Sequence, residues 1–546
     1  MTLNPQTPIA VPSLRQGMGT ILYPGGAAFR VWAPFASEVF AVGTFNQWST
    51  TAHPFAGEGN GYWSVQVPGA KIGDEYQFVI RNGAQPLIWH KNPYASEVVN
   101  ASGNAIIHDP NFDWTGDAFV MPPWNELVIY EMHVGTFNDL STSGPGTFDD
   151  ILPRLPYLQD LGINAIEIMP VLQFPMDYSW GYNPADPFAV DSSLGGAQGL
   201  YRFVKAAHRC GIAIIMDVVY NHFGPGDLDL WRFDGWFTDD HNGGIYFYDN
   251  ARAHTDWGDT RPDYGRPEVR QYIRDNALFW LNKYHVDGLR LDSVSNIRAV
   301  DGRDLPDGWS LLQWINNEIR ATQPWKITIA EDLQNDEWIT KETGAGGAGF
   351  GSQWDAGFVH PIRQAIVTPN DADRDMLAVR DALYHGYNGD AFRRVIYTES
   401  HDEVANGHER VPEEIWPGNA ASWFSRKRST LGAAFVLTAP GIPMIFQGQE
   451  FLEDKYFRDT APLDWTKLTT YSGIHLLYRD LIRLRRDWFN QTRGLRGQHL
   501  NVHHVNNADK VIAFHRWDAG GAGDDVIVVA NFANRSYDSY ALGFPR

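Results

Sequence analysis

Cysteine is almost absent: the single Cys210 leaves no partner for an intramolecular disulfide, so a reducing, cytoplasmic setting is the expectation. It closes the helical pattern Val204-Lys-Ala-Ala-His-Arg-Cys-Gly211 and reads as a buried, inert thiol, not a nucleophile. No run of about 18 apolar residues occurs, which leaves no candidate transmembrane helix. The opening Met-Thr-Leu-Asn-Pro-Gln-Thr-Pro has neither a basic nor an apolar leader segment, so no signal peptide is expected. Basic residues are outnumbered, 44 Lys plus Arg against 65 Asp plus Glu, for a formal charge of −21. Phosphate backbones and anionic lipid surfaces require clustered Lys and Arg, so neither nucleic acid nor a membrane is an expected partner. Zinc-type Cys/His spacing, a Gly-rich phosphate loop and a Gly-x-Ser-x-Gly elbow are also missing. No metal and no cofactor are therefore expected.

What is abundant is aromatic: 21 Trp and 23 Tyr. These side chains join an apolar face to a polar handle, which suits a sugar ring with its C–H faces and hydroxyl rim. The first stretch reads as short alternating strands, Ala28–Ala33, Glu38–Val42, Gly61–Val67 and Glu75–Ile80, with turn signals between them. That pattern is expected of a β-sandwich, over residues 1–118. Gly43-Thr-Phe-Asn-Gln-Trp48 follows a strand directly, so Trp48 either packs a turn or meets a glycan.

Met121-Pro-Pro-Trp124 marks a boundary, after which strands and helices alternate. Eight strand candidates follow: Leu127–Val134, Ala165–Val171, Ile212–Val219, Gly288–Val294, Lys326–Asp332, Ser352–Phe358, Arg393–His401 and Ile442–Glu450. Helical patterns lie between them at Phe148–Leu161, Gln198–Cys210, Pro267–Tyr284, Trp309–Ala321, Arg374–Tyr384, Ser422–Thr438 and Gly473–Trp488. The expected fold class is α/β, a (β/α)8 TIM barrel over 119–489 with an insertion at 220–266. Short strands return over 490–546 and stop abruptly at Phe544-Pro-Arg546, as in a small C-terminal β-domain lacking its last strands.

The stretch that organises the chain is Gly288-Leu-Arg-Leu-Asp-Ser-Val294. Residues two apart on a strand face one side, so Arg290 and Asp292 project together, and a buried carboxylate is costly unless so paired. Alone this could be a structural pair. In a (β/α)8 barrel, however, the active site gathers at the C-terminal ends of the strands. There stand Asp217-Val-Val-Tyr-Asn-His222, Arg290-Leu-Asp292, Glu331-Asp332 and His401-Asp402-Glu403. Opposed carboxylates with little positive charge suit acid–base work on an uncharged substrate. Retaining glycoside cleavage needs a carboxylate nucleophile and a second carboxyl about 5 Å away that serves as acid and then base. Asp292, held ionised by Arg290, suits the nucleophile; Glu331, on the next strand, suits the acid/base; Asp402 is a third carboxylate for sugar hydroxyls.

Asp217-Val-Val-Tyr-Asn-His222, Gly288-Leu-Arg-Leu-Asp292, Ile329-Ala-Glu-Asp332 and Ser400-His-Asp402 resemble, in order and placement, the four signatures of the α-amylase superfamily of retaining α-glucan enzymes. The resemblance implies the roles just given for Asp292, Glu331 and Asp402. It further implies that His222 and His401 bind glucosyl hydroxyls, that Arg290 orients the nucleophile, and that Tyr182 stacks on the cleaved sugar. The N-terminal module is similar to starch-binding-like sandwiches. Asp263-Tyr-Gly-Arg-Pro-Glu-Val-Arg270, Ser400-His-Asp-Glu-Val404 and Phe446-Gln-Gly-Gln-Glu-Phe451 look like glycogen branching enzymes, whereas Glu131-Met-His-Val-Gly-Thr-Phe137, Asp217-Val-Val-Tyr-Asn-His222 and Asn335-Asp336 look like maltooligosyltrehalose trehalohydrolases. Asp332, where branching enzymes usually carry a second Glu, and Ala405-Asn406 depart from the branching pattern. The resemblance implies an α-glucan substrate (glycogen, starch or maltooligosaccharides) and a 1,4-α-glucan branching enzyme; the sequence does not give the oligomeric state, for which a monomer is the default expectation. Hydrolysis, as in a trehalohydrolase or an α-amylase, and a non-catalytic glucan-binding protein are the alternatives. Amylases often hold calcium with an Asn at the position of Asn221 and nearby carboxylates; Asp227, Asp229 and Asp234 could serve, but Asp-rich loops are mostly solvated turns and calcium is not expected.

Overall fold

The computed structural model describes residues 12–544 apart from Leu14 and Thr142; the opening residues read above for a leader, and the closing Pro545 and Arg546, lie outside the described set. Strands Ile129–Met132, Ala165–Ile168, Ala213–Val218, Gly288–Leu291, Ile327–Ala330, Ser352–Trp354, Arg394–Ile396 and Ile442–Phe446 close into a parallel barrel, the last pairing with the first. Their residues are apolar on both faces because helices cover the outside and side chains fill the lumen. Gly288 begins the fourth strand at a close approach: a Cβ there would lie 2.3 Å from Ile327 Cγ2.

The flanking helices start and stop on the expected chemistry. Pro267 and Pro306 open Pro267–Lys283 and Pro306–Thr322, where a missing N–H costs nothing, and Gly162 at φ 103° ends Leu155–Leu161. The helix expected over Phe148–Leu161 is instead Phe148–Ile151, a 3₁₀ turn Leu152–Arg154 and Leu155–Leu161. Pro153 and Pro156 interrupt it, since proline lacks the N–H a continuous helix requires.

Several expected strands overrun the real ones. The sixth stops at Trp354; Asp355 then caps a helix, Ala356–Val367, accepting a hydrogen bond from Gly357 N at 3.0 Å, so Phe358 is helical. The seventh stops at Ile396, five residues before His401, and the eighth at Phe446. The polar residues beyond these ends have left the ladder to line the barrel mouth.

The N-terminal module has two antiparallel sheets, one of Gly19–Tyr23, Gly26–Trp32, Tyr62–Pro68 and Ala56–Gly59, the other of Glu38–Gly43, Glu75–Arg81, Ile88–His90 and Ala105–Ile106. Trp48 lies half-buried on the outer face of the second sheet against Phe40, Val42 and Val79. At the other end, His499–Asn506, Val511–Trp517 and Val526–Asn531 form an antiparallel sheet whose Ile512 and Phe514 pack with Phe435 and Phe532.

The long insertion after the third strand packs on the sandwich. Asp229 Oδ2 accepts from Lys91 N at 2.7 Å, Asp234 Oδ2 from Phe35 N at 2.9 Å, and Phe35 stacks on Trp236 at 4.7 Å. Two of the aspartates weighed for calcium are thus engaged by the sandwich, while Asn221 turns inward to Asp292. Among the described residues no cluster of three metal-ligating side chains occurs, and no helix is long and apolar enough to cross a membrane.

Candidate active site

Arg290 is fully buried at the end of the fourth strand, and the parallel register sets Asp217 directly beside it. Its Nη1 donates to Asp217 Oδ2 at 2.7 Å and to Asp292 Oδ1 at 3.0 Å, and Nη2 stands 3.7 Å from Glu331 Oε2. One guanidinium therefore serves three carboxyls. Leu291 pairs with Ala330, so Asp292 and Glu331, one residue further on each strand, lie side by side at about 5 Å strand spacing. Ser293 then adopts a left-handed backbone with φ 42°, which turns its N–H onto Glu331 Oε2 at 2.6 Å. A non-glycine residue there costs of order 1–3 kcal/mol, sustained only because the neighbouring strands hold it.

Environment separates the two carboxyls. Burial pushes both upward. Asp292 is opposed by Arg290 and by Asn221 Nδ2, which donates to Oδ2 at 2.6 Å. Glu331 has a more distant guanidinium and one backbone amide, with Asp292 and Asp402 adding repulsion, and is pushed up to about 7. Asp292 is thus the better-held anion and Glu331 the better-held acid, the division of labour that a pair of catalytic carboxyls requires. Asp217 is raised to about 7 by burial against the pull of Arg290.

The remaining residues close around this pair. Tyr182 donates its hydroxyl to Asp217 Oδ2 at 2.7 Å and stacks on His401 with ring centroids 5.1 Å apart. Asp402 is half-exposed in the cleft, its Oδ2 3.4 Å from His401 Nε2. His222 is buried, lowered to about 4 by desolvation, and joined through Nδ1 to Asn221 Oδ1 at 2.5 Å. The structure thus brings all eight residues singled out in the sequence to one barrel mouth. A separate cleft of about 440 Å³, lined by Trp124, Arg320, Arg393 and Arg496 beside the start of the fifth strand, holds none of them.

Four participants were given no site role from the sequence, although Asn221 was weighed there for calcium and Glu131 stood in a quoted motif. Asn221 links His222 to Asp292; Trp257 lies parallel to His222 at 4.6 Å, 40% exposed. Glu131 and Glu167 are register partners on the first and second strands, both buried. Their signal was present, an acidic residue inside an apolar strand, but a search confined to strand ends passes over side chains one layer deeper.

Fold and site together define a (β/α)8 barrel with paired carboxyls at its mouth. The α-amylase catalytic-domain family matches residues 131–227 and 229–461, more than half the chain, with carbohydrate-binding module 48 (isoamylase N-terminal domain) at 17–95 and the α-amylase C-terminal all-β domain at 502–546. The chain belongs to the α-amylase family. Among curated relatives, the 1,4-alpha-glucan branching enzyme GlgB of Pseudoalteromonas atlantica is 30% identical over 94% of this chain and 73% of its own length. That of Shewanella baltica is 31% identical over 95% and 72%. Among solved structures, a mutant pullulanase from Paenibacillus barengoltzii complexed with maltotetraose aligns at TM-score 0.77 and 22% identity, covering 97% of this chain and 90% of that one. Bacillus subtilis type I pullulanase complexed with maltose aligns at 0.75 and 21%, covering 95% and 79%. At such identities these two speak for the fold alone.

Proposed function

We propose that this chain is a retaining α-glucan-active enzyme that cleaves α-1,4 bonds and passes the released chain to a sugar 6-hydroxyl, as a 1,4-α-glucan branching enzyme does. The observation that carries the reading is the Arg290-linked pair of Asp292 and Glu331 in a chain whose relatives, at about 30% identity over nearly its whole length, are named as branching enzymes. Asp292 attacks the anomeric carbon while Glu331 protonates the leaving oxygen, and a glucosyl–Asp292 ester forms. Glu331, now ionised, takes the proton of the incoming hydroxyl as that oxygen displaces Asp292. Tyr182 stacks on the sugar, Arg290 orients Asp292, Asp217 anchors Arg290 and Tyr182, and Asp402, His401 and His222 hold the hydroxyls.

Hydrolysis is the second reading, because the bond broken is the same and only the acceptor differs. It is favoured by Asp332, the departure from the branching pattern, whose carboxylate accepts from Arg298 at 2.7 and 2.9 Å. Incubation with amylose separates the two: an α-1,6 anomeric proton signal with few new reducing ends is expected. Reducing ends without that signal would replace transfer by hydrolysis and make maltooligosyltrehalose the next substrate. An absence of both products would sink the glucan reading altogether.

A further inference from the structure

We propose that Glu131, on the first barrel strand, is the positioning residue that fixes both the place and the charge of His401, making that ring a cationic donor toward the bound sugar. This rests on the glucan-cleaving reading above. His401 needs an anchor, because the seventh strand ends at Ile396 and the segment carrying the ring has no ladder to hold it. Glu131, 270 positions away in sequence, supplies it with both oxygens: Oε1 lies 2.5 Å from His401 Nδ1 and Oε2 accepts from the His401 backbone N–H at 3.1 Å. The other ring nitrogen, Nε2, faces Asp402 Oδ2 at 3.4 Å. A neutral imidazole has one donor and one acceptor, so a ring with a carboxylate at each nitrogen satisfies both only as the imidazolium.

Aromatic side chains pack around the ring. Tyr182 covers one face at 5.1 Å, and Trp180 and Trp354 meet it edge-on at 5.8 and 6.1 Å. The charged and titratable groups facing it are Glu131, Asp402, Asp292, Glu167, Arg290 and His133. Burial lowers the ring's affinity for a proton and Arg290 opposes it further, yet Asp402 and Glu131 outweigh both and raise it to about 9. Glu167 completes the balance. It is the register partner of Glu131, its Oε2 is buried without a partner, and desolvation pushes it well above the usual carboxylate range. Two carboxyls on adjacent strands do not both ionise in such a site. Glu167 stays neutral, and the carboxyl that reaches His401 is that of Glu131.

Glu131→Gln separates charge from position. Its amide oxygen can still accept from the backbone N–H, and its NH₂ can donate to an unprotonated Nδ1, which leaves His401 in place but neutral. Histidine side-chain ¹⁵N NMR, with the His401 signal assigned by its loss in His401→Asn, is expected to show the wild-type ring charged at pH 7 and titrating near 9, and the Glu131→Gln ring titrating at a clearly lower pH. Turnover on amylose is expected to fall roughly 10- to 100-fold, the worth of one charge-assisted hydrogen bond, with little change in melting temperature. A wild-type ring neutral at pH 7 overturns the proposal whether or not the variant folds. So does a variant whose His401 titration moves while turnover stays within about threefold. If wild type leaves amylose untouched while the ring titrates as expected, the glucan reading fails and the anchoring of His401 stands.

Discussion

Arg290 and Arg394 are both fully buried on barrel strands, yet the protein treats them in opposite ways. Arg394 points outward between barrel wall and helix ring, and each of its N–H groups finds an acceptor. Asp355 Oδ2 lies at 3.0 Å, Pro440 O is reached twice at 3.0 and 2.7 Å, and the remaining donors take Ala382 O and Leu383 O at 3.0 and 3.1 Å. Two of those carbonyls close the helix Met376–Tyr384, where no intrahelical partner exists for them. Arg290 points inward, concentrates its hydrogen bonds on Nη1, and leaves Nε and Nη2 without one. Every donor of Arg394 is satisfied and those of Arg290 are not, although Nε is also unpartnered in the buried Arg410 and Arg485 outside the cleft. Between these two positions the difference lies in hydrogen-bond satisfaction, not in burial or charge.

The largest effect that sharpens this contrast is on chemistry at the inner group. Asp292→Ala is expected to cut turnover on amylose by at least about 10⁴-fold, and Glu331→Gln by roughly 10²–10⁴-fold, with melting temperatures within a few degrees of wild type. Steady-state rates and thermal unfolding measured on the same preparations check both, and substantial turnover by Asp292→Ala would remove it as nucleophile.

The complementary change is Arg394→Ala. It removes the guanidinium from Asp355 Oδ2, which keeps only its Oδ1 partners Gly357, Tyr387 and His385, and leaves three buried backbone carbonyls without that donor, at a cost of about 3–5 kcal/mol. Thermal unfolding should show a large drop, while the molecules still folded at low temperature should retain wild-type kcat and KM within about twofold. An Arg394→Ala enzyme as stable as wild type, or one that is stable but inactive, would break the comparison.

Much of this was legible in the residues. The barrel followed from strand-helix alternation, and the mouth from polar residues at strand ends, because both reflect periodicity that burial imposes on sequence. Asp292 and Arg290 announced themselves as charges two apart in an apolar run. Strand ends were harder, since Thr398, Ser400 and Gln449 leave the ladder for side-chain bonds that no local pattern encodes. Ser352–Phe358 looked like strand because Trp354 and Phe358 are good β-formers; the cap by Asp355, with Pro361 inside the following helix, hid the change of element. The roles of Glu131 and Arg394 were not legible for a common reason. What each does depends on partners far away in sequence, at His401 and at Leu383 and Pro440, and only the closed barrel brings those together.

The smallest effect tests the same asymmetry through pH. In the unfolded chain Glu331 ionises near its ordinary value of 4.5, whereas in the folded protein burial holds its proton until about 7. Between those values the folded state binds more protons than the unfolded one, so this residue's contribution to stability declines as pH rises from about 4.5 to about 7, and the full cost persists above that. Glutamine cannot ionise and escapes the slope. The stability of Glu331→Gln relative to wild type should therefore grow between pH 5 and pH 8, by of order 1–3 kcal/mol, read as a melting-temperature difference that widens by a few degrees. The same titration governs activity with the sign expected of an acid: kcat/KM of wild type should fall as pH rises through about 7, when Glu331 loses the proton that the leaving oxygen needs. A stability difference equal at the two pH values would mean that Glu331 is ionised in the folded enzyme like any exposed carboxylate. The environment of the inner group would then be no more demanding than that of the outer one.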